Sequence, residues 1–270
     1  MKKLICLLLC AAALLSMTAC GAGEPAPTTQ ATVVTTAPTT EPTTEPTTEP
    51  TTEPTTVPTE PPVIVHSGLK EDGSFDAGTL FLGDSMTCIL VNDYLKPNNL
   101  LGEANYVAKY GTQITAFWKD TIKMWPKMTN RCVYSKNFEG LGYSEAVAHL
   151  GEDATAIYMM WGTNFTHDAT YMSYVEIVDF MLEACPNATV HLQTVAYGYP
   201  KMVFFEEINA RIWEAYEYYQ EKGEERVFLI DTFTAIGKNN DVGGIHLDYT
   251  GNENWYNAIV AHAEEHGLPQ

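Results

Sequence analysis

Short apolar runs alternate with segments of helical period over the last three quarters of the chain. The runs are of strand length and rich in β-branched and aromatic residues, as expected for a parallel sheet covered on both faces. They span residues 79–82, 105–108, 156–160, 190–195 and 227–230. Helical spacing predicts helices near 86–94, 114–128, 171–184, 203–222 and 252–266. This alternation predicts an α/β domain with helices on both faces of a parallel sheet.

Residues 126–153 interrupt the alternation and are predicted to form an excursion with a short helix near 144–150. In open α/β sheets, ligands bind beyond the carboxyl ends of the strands. The residues that directly follow each strand are therefore the first candidates for a functional site.

The N-terminus has the pattern of an export signal. Lys2 and Lys3 precede an apolar run at residues 4–15, and small residues lead to Cys20, which predicts a signal peptide over 1–19. The ending Thr-Ala-Cys-Gly resembles the lipobox of bacterial lipoproteins, although Met17 replaces the commoner leucine. The resemblance implies that Cys20 becomes the lipid-carrying first residue, anchored at the extracellular face of a bacterial membrane. The alternative is plain secretion with Cys20 incidental.

Residues 20–62 form a linker of low complexity. Thr-Thr-Glu-Pro occurs four times within 39–54, and the segment contains six glutamates but no lysine or arginine. Its apolar surface is too small to repay the entropy of folding. Regular proline favours extended polyproline II, with a reach of up to about 130 Å. Residues 63–270 remain as one domain that is large enough to bury a substantial core.

The charge excludes some classes of function. The chain carries 15 basic and 34 acidic residues, a net charge of −19. Loss of Lys2 and Lys3 with the signal leaves 13 basic residues and a net charge of −21. Such a chain repels phosphate backbones, so we expect no nucleic-acid partner. No later run approaches the roughly 18 apolar residues of a membrane span, so membrane contact is expected only through Cys20.

Three cysteines remain beyond the signal and Cys20, namely Cys88, Cys132 and Cys185. Their number is odd and their spacing does not match a metal site. We interpret them as small buried apolar side chains. A Cys132–Cys185 bridge is the alternative, and nothing in the sequence supports it.

Four residues near the predicted strand ends have complementary chemistry. Ser85 follows the first strand, Gly111 the second and Asn164 the third, while His246 precedes the last helix. A serine hydroxyl with a histidine base is a nucleophile, and backbone N–H groups with an asparagine amide stabilise an oxyanion. Taken singly, each residue is typical of an ordinary turn or cap.

Together these residues resemble the ordered pattern of the SGNH hydrolases, the GDSL-type esterases. The similarity includes the Gly83-Asp84-Ser85 block, the block ending in Asn164, and Gly-Ile-His-Leu around His246. The resemblance implies a three-layer α/β/α sandwich around a five-stranded parallel sheet. It also implies Ser85 as nucleophile and His246 as base. The implied oxyanion hole consists of the Ser85 and Gly111 backbone N–H groups and the Asn164 side chain.

Two positions depart from the family pattern. Phe165 stands where an aspartate usually follows the asparagine, and Gly243 stands where the acid of the triad is usual, three residues before His246. Three alternatives follow from Gly243. Asp241 replaces the acid, a backbone carbonyl orients His246 in a Ser–His dyad, or the domain has lost activity and only binds. The presence of Ser85 and His246 favours the first two.

The expected activity is hydrolysis of carboxylic esters, with no metal or organic cofactor. Five further histidines form no metal-binding spacing and are interpreted as structural or exposed: His149, His167, His191, His262 and His266. Aromatic residues that are candidates for stacking on sugar rings or for ordinary packing are Tyr197, Tyr199, Phe204, Phe205, Trp118 and Trp125.

The leading substrate hypothesis is an O-acetyl or other acyl group on extracellular polysaccharide or cell-wall glycan. It rests on the tether, the predicted anchor and the aromatic residues. One alternative is a lipolytic or arylester hydrolase acting on small ester-bearing molecules. The other is a non-catalytic glycan-binding surface lipoprotein. We expect the protein to be a monomer.

Overall fold

The computed structural model describes residues 65–118, 132–164, 169–195, 205–237, 241–242 and 246–268. The predicted signal peptide, Cys20 and the linker therefore lie outside the described residues, as do Phe165, His167 and Gly243. Within the described part of the chain, no helix is both long and apolar enough to cross a bilayer.

A six-stranded sheet forms the centre of the described domain. Its strands are β1 (Thr79–Gly83), β2 (Asn105–Lys109), β3 (Cys132–Tyr134), β4 (Ala156–Met160), β5 (Thr189–Gln193) and β6 (Val227–Ile230). They are arranged in the order β3-β2-β1-β4-β5-β6. Every pair is parallel except β2 with β3. The predicted five-stranded parallel sheet is confirmed, and an antiparallel edge strand extends it.

In the described structure, six helices lie between the strands of the sheet or follow the last of them. They are α1 (Ser85–Ile89), α2 (Tyr143–Leu150), α3 (Tyr171–Ala184), α4 (Phe205–Lys222), α5 (Thr232–Ile236) and α6 (Tyr249–Glu265). A π-helix continues α1 over Leu90–Leu95. Short 3₁₀ turns occur at Ile114–Trp118, Lys136–Phe138 and Gly151–Asp153. A two-stranded hairpin, β7 (Asp241–Val242) and β8 (His246–Leu247), precedes α6.

The structure differs from the prediction at three elements. The helix predicted over 114–128 begins as the 3₁₀ turn Ile114–Trp118, and the rest lies outside the described residues. The strand β3 was not predicted, because its three residues are too few to show a period. The last helix begins at Tyr249 rather than near 252, since the Asp248 side chain accepts the Gly251 N–H at 2.8 Å and caps it there.

Side chains of alternating direction along the strands supply two cores, one on each face of the sheet. On β1, Leu80 and Leu82 face α2, α3 and α4, whereas Phe81 faces α1, the π-helix and α6. Trp255 of α6 is fully buried and its indole N–H donates to Gln193 Oε1 of β5 at 2.6 Å. The three-layer α/β/α arrangement that the resemblance implies is therefore confirmed.

The segment before β1 is fastened at the amino-terminal edge of the sheet. The His66 N–H donates to Thr189 Oγ1, at the first residue of β5, at 2.9 Å. Tyr158 Oη donates to the Ser67 carbonyl at 2.5 Å. His66 and Ser67 are thus held on the side of the sheet opposite to the strand ends that precede Ser85 and Asn164.

A row of aromatic rings crosses the face of the sheet that α6 covers. Phe81, Tyr158, His191 and Phe228 are register partners on β1, β4, β5 and β6, and successive rings stack at 5.1, 4.5 and 5.7 Å. Full burial lowers the pKa of His191 to about 3, and its Nε2 lies 3.2 Å from the His66 carbonyl oxygen. His191 is therefore structural, as predicted.

Other predictions about single side chains are also tested by burial. Cys88 and Cys185 are fully buried, which confirms the prediction for these two; the side chain of Cys132 is outside the described set. His262 is buried and burial lowers its pKa to about 4. His149 and His266 are exposed. The interpretation of these histidines as structural or exposed is confirmed.

Candidate active site

Ser85 is the first residue of α1, directly beyond the carboxyl end of β1. The turn is tight: a Cβ added to Gly83 would lie 2.2 Å from Thr87 Oγ1 and 2.4 Å from the Met160 carbonyl oxygen. Asp84 has an extended backbone and caps α1, since its Oδ1 accepts the Met86 N–H at 3.0 Å. Ser85 is 4% exposed. The sequence thus forces the serine into a fixed strand-to-helix turn.

The Asp84 carboxylate also joins the end of β1 to the loop that follows β4. Its Oδ2 accepts the Thr163 N–H at 3.2 Å, the Thr163 hydroxyl, and Asn164 Nδ2 at 3.5 Å. The side chain is completely buried. Burial raises its pKa to about 6, although hydrogen bonds from Thr163, Met86 and Gly162 act in the opposite direction. Asp84 is therefore a buried acid that fixes Ser85 and Asn164 in one frame.

The loop after β4 depends on Gly162. Its φ is +143°, a region that side-chain-bearing residues rarely adopt, and an added Cβ would lie 2.6 Å from Ile208 and 2.7 Å from Val195. Tyr174 Oη donates to the Trp161 carbonyl at 3.0 Å and holds the residue before it. Asn164 Nδ2 has two N–H groups, one of which is directed to the Asp84 carboxylate, and the role of this amide in an oxyanion hole stays a prediction.

A buried hydroxyl network joins the ends of β1, β2 and β4. Tyr143 Oη donates to the Gly83 carbonyl at 3.0 Å and lies 3.1 Å from Thr112 Oγ1. Thr112 Oγ1 donates to the Lys109 carbonyl at 2.9 Å and accepts from Trp161 Nε1 at 3.4 Å. The loop that carries Gly111 is thereby held against the strand that precedes Ser85.

Gly111 has the backbone expected of a close-approach position. Its φ is +72°, and an added Cβ would meet no atom within 4 Å. Open space beside a residue in the left-handed region leaves its backbone accessible to a ligand. The positive φ accounts for a glycine at this position, and the role of its N–H in an oxyanion hole stays a prediction.

His246 lies on β8 and lines an open cleft of about 390 Å³. The other residues that line this cleft are Ile89, Asp93, Tyr110, Leu247, Asp248, Tyr249 and Asn252. The Tyr110 ring packs edge-on to the imidazole, with 5.5 Å between centroids. Asn252 Nδ2 donates to the carbonyls of Leu247 and Asp248 at 3.3 and 2.7 Å, which fixes the segment after His246.

The structure brings the elements that carry Ser85 and His246 together, because α1 packs against β8. Among the described residues, no hydrogen bond joins the Ser85 hydroxyl to the His246 ring. Hydrogen bonds of this kind are often long in a site without substrate, so the Ser85–His246 bond stays a prediction. In the hairpin, Val242 is in register with His246 and Asp241 with Leu247. The side chain of Asp241 is outside the described set, so its predicted role is untested.

Two effects act on the His246 imidazole. Partial burial lowers its pKa below the usual 6.5, and the negative charge of Asp93 raises it in opposition, with the lowering prevailing. A neutral imidazole at neutral pH is the state that accepts a proton. The electrostatics of the site therefore suit a general base.

Sequence analysis missed three residues of this site. Asp84 was noted only as part of a turn, although aspartate before a helix is a known capping signal. Tyr143 lay in the predicted excursion, and Asp93 was hidden within a predicted helix. No local pattern marks the last two, because their partners are distant in the sequence.

The aromatic candidates are only partly described. Phe205 is buried in the core, whereas Trp118 is 49% exposed and packs edge-on against Phe117 and Phe180. Tyr197, Tyr199, Phe204 and Trp125 lie outside the described residues. Within the described ranges, no group of three or more His, Cys, Asp or Glu side chains is arranged to hold a metal ion.

No protein-family model and no curated protein matches the chain. Solved structures similar to it include a family 3 carbohydrate esterase from Talaromyces cellulolyticus, with 16% identity, 69% of this chain and 96% of that chain covered, and a TM-score of 0.45. The family 3 carbohydrate esterase from Clostridium thermocellum shares 13% identity over 69% and 94%, with a TM-score of 0.44. A GDSL-like lipase from Bacteroides thetaiotaomicron shares 16% over 70% and 88%, with a TM-score of 0.41. What the site does has to be inferred from its own residues.

Proposed function

We propose that this chain is a serine esterase of the SGNH type that removes acyl groups, above all O-acetyl groups, from extracellular polysaccharide or cell-wall glycan. The observation that carries the proposal is the buried Asp84 carboxylate, which fixes Ser85 and Asn164 in one frame beside the elements that carry Gly111 and His246. A turn serine with no chemical role would not need a desolvated acid to hold a distant asparagine beside it.

The proposed reaction proceeds through an acyl-enzyme. His246 takes the proton of Ser85 Oγ as the oxygen bonds to the ester carbonyl carbon. The N–H groups of Ser85 and Gly111 and the amide of Asn164 hold the oxyanion. The C–O bond to the leaving group breaks, and the imidazolium gives its proton to the departing alcohol. A water then gives a proton to His246 as its oxygen bonds to the acyl carbon. The bond between that carbon and Ser85 Oγ breaks, the imidazolium returns its proton to Oγ, and the acid leaves.

The space beside Asn164 supports a short acyl group. The described residues that line this space are Ile114, Gly162, Asn164, Ala169, Tyr174, Ile208 and Arg211. Between them it has a volume of about 10 Å³. That is about the room of one water molecule. An acetyl methyl group fits this space better than a long lipid chain, which favours a carbohydrate esterase over the lipolytic alternative.

A fluorophosphonate probe tests the nucleophile directly. We expect labelling of the wild type and none of Ser85→Ala or His246→Ala, with all three proteins showing the same folded spectrum. Acetate release from acetylated glycans, compared with hydrolysis of p-nitrophenyl esters of increasing chain length, then separates the substrate classes. Preference for chains of eight carbons or more would support the lipolytic alternative instead.

The second candidate function, a non-catalytic glycan-binding protein, is favoured by one observation, the glycine at the usual acid position 243. It predicts that the wild type and Ser85→Ala bind glycan equally well and that neither hydrolyses esters. The lipid anchor at Cys20 is a separate proposal, carried by the lipobox-like sequence alone. Mass spectrometry of the mature N-terminus tests it, and an unmodified terminus beyond Cys20 would reject it.

A further inference from the structure

The usual acid position for His246 is occupied by Gly243, yet two carboxylates, those of Asp93 and Asp248, line the same cleft as the imidazole. Asp93 and His246 both line the 390 Å³ space beside α1. Asp93 is exposed, and it makes no hydrogen bond or ion pair with another described residue. The nearest lysine on its own helix, Lys96, is directed elsewhere, since its Nζ donates to Asn92 Oδ1 at 2.9 Å and lies over the Tyr106 ring. The Asp93 charge is thus available to His246.

The π-helix explains how Asp93 reaches this cleft. Ser85, Ile89 and Asp93 are spaced by four residues. In an α-helix a step of four residues rotates the side chain by slightly more than one full turn about the helix axis. Over Leu90–Leu95 the turn is wider, as the Lys96 N–H bonds to the Val91 carbonyl five residues earlier at 3.0 Å. Four residues then fall short of a full turn. The excess rotation between Ser85 and Ile89 is therefore nearly cancelled between Ile89 and Asp93. As a result, Asp93 lies on the same face of the helix as Ser85.

The other groups that face His246 are already committed or carry no charge. The Asp248 carboxylate caps α6 through the Gly251 N–H at 2.8 Å. The Tyr249 hydroxyl donates to Asn98 Oδ1 at 3.1 Å, and Tyr110 presents the edge of its ring. In the hairpin, a valine is the residue directly opposite His246. Asp93 is the one carboxylate among the cleft residues without another task in the described structure.

We propose that Asp93 is the acidic positioning residue of this site, so that nucleophile and acid are supplied by one continuous helix on either side of Ile89. This inference rests on the proposed esterase function. Asp93 neither gives nor takes a proton in the reaction. Its charge favours the imidazolium that forms when His246 takes the serine proton, which is the task of the third member in a Ser-His-acid triad.

The test compares Asp93→Asn, Asp93→Glu and Asp241→Asn with the wild type. Glu253→Gln is the matched control, because it removes a carboxylate from the neighbouring α6 that does not line the cleft. The first measurement is the pKa of His246 by NMR of the histidine-labelled protein, which needs no enzymatic activity. We expect Asp93→Asn to lower this pKa, Asp93→Glu to restore it, and the other two variants to leave it close to the wild-type value.

The second measurement is the pH profile of ester hydrolysis. In Asp93→Asn we expect kcat to fall by about tenfold or more with KM nearly unchanged, and the acidic limb to move to lower pH. An unchanged His246 pKa in Asp93→Asn, or a shift produced by Asp241→Asn instead, would overturn the inference. If neither the wild type nor any variant hydrolyses esters or reacts with the fluorophosphonate probe, the proposed function is wrong. The His246 pKa measured by NMR still shows whether Asp93 acts on the imidazole.

Discussion

Replacing Asp84 by asparagine is expected to remove a loss of stability that the wild type undergoes as the pH rises. In the folded chain, burial raises the pKa of Asp84 from 3.8 to about 6. The folded state therefore holds this proton more tightly, so its contribution to stability is complete below pH 3.8 and is lost as the pH rises through 6. A shift of about two units corresponds to about 3 kcal/mol lost in the wild type. Asparagine does not ionise and escapes this loss.

The same substitution is expected to impair the site. The ionised Asp84 carboxylate accepts from Met86 on one oxygen and from Thr163 and Asn164 on the other. An asparagine side chain has one acceptor oxygen where aspartate has two. Its NH₂ group would therefore face N–H donors at one of the two oxygen positions. Because an oxyanion-hole donor is worth about 10²–10³ in kcat, displacement of Asn164 should reduce kcat by about tenfold or more.

Urea unfolding of the wild type and Asp84→Asn at pH 4 and pH 7.5 measures how the stability difference between the two proteins changes with pH. We expect the variant to gain about 2–3 kcal/mol on the wild type between these pH values. Asp76→Asn serves as the control for activity, because that carboxylate accepts from Thr79 and Thr155 at the opposite edge of the sheet. A stability difference that is the same at both pH values, within about 0.5 kcal/mol, would refute the inferred desolvation of Asp84.

Three further expectations follow. Because burial lowers the pKa of His246 below 6.5, kcat/KM should fall on the acid side with a midpoint below pH 6.5; a midpoint above 7 would contradict this. Gly111→Ala should cost about 1 kcal/mol in urea unfolding, from its φ of +72° and not from a clash, and should lower kcat about tenfold. The pKa of His191, lowered to about 3, means that stability is lost as the pH falls below 6.5. Between pH 8 and pH 4.5 the free energy of unfolding of the wild type should fall by about 3 kcal/mol more than that of His191→Phe. If the two proteins lose stability equally over this range, the buried ring is not neutral.

The strands were predictable because each is a short, nearly uniform apolar run, and a covered parallel sheet demands that pattern. The ends of those runs also singled out Ser85, Gly111 and Asn164 as candidates, since the carboxyl ends of parallel strands meet at one edge, and their catalytic roles stay predictions. His246 required more. Its place beside α1 depends on a two-residue hairpin and on the capping of α6 by Asp248, which no sequence period shows.

The acid was the least predictable part. In the sequence, Asp93 lies within a helical stretch, where the α-helical period would rotate it away from Ser85. Only the wider turn at Leu90–Leu95 returns it to the cleft, and propensity does not distinguish such a turn from an ordinary one. The role of Asp84 was equally hidden, because its partners Thr163 and Asn164 are about 80 residues away.

The fastening of His66 and Ser67 to β5 and β4 has a mechanical consequence. A pull on the chain from upstream is received by central strands, at the edge farthest from Ser85. Strands of five residues separate the two edges by about 17 Å. Load applied to the domain through its leading segment would thus be spread over the sheet ladder, and the loops that hold the reactive groups would not be strained by it.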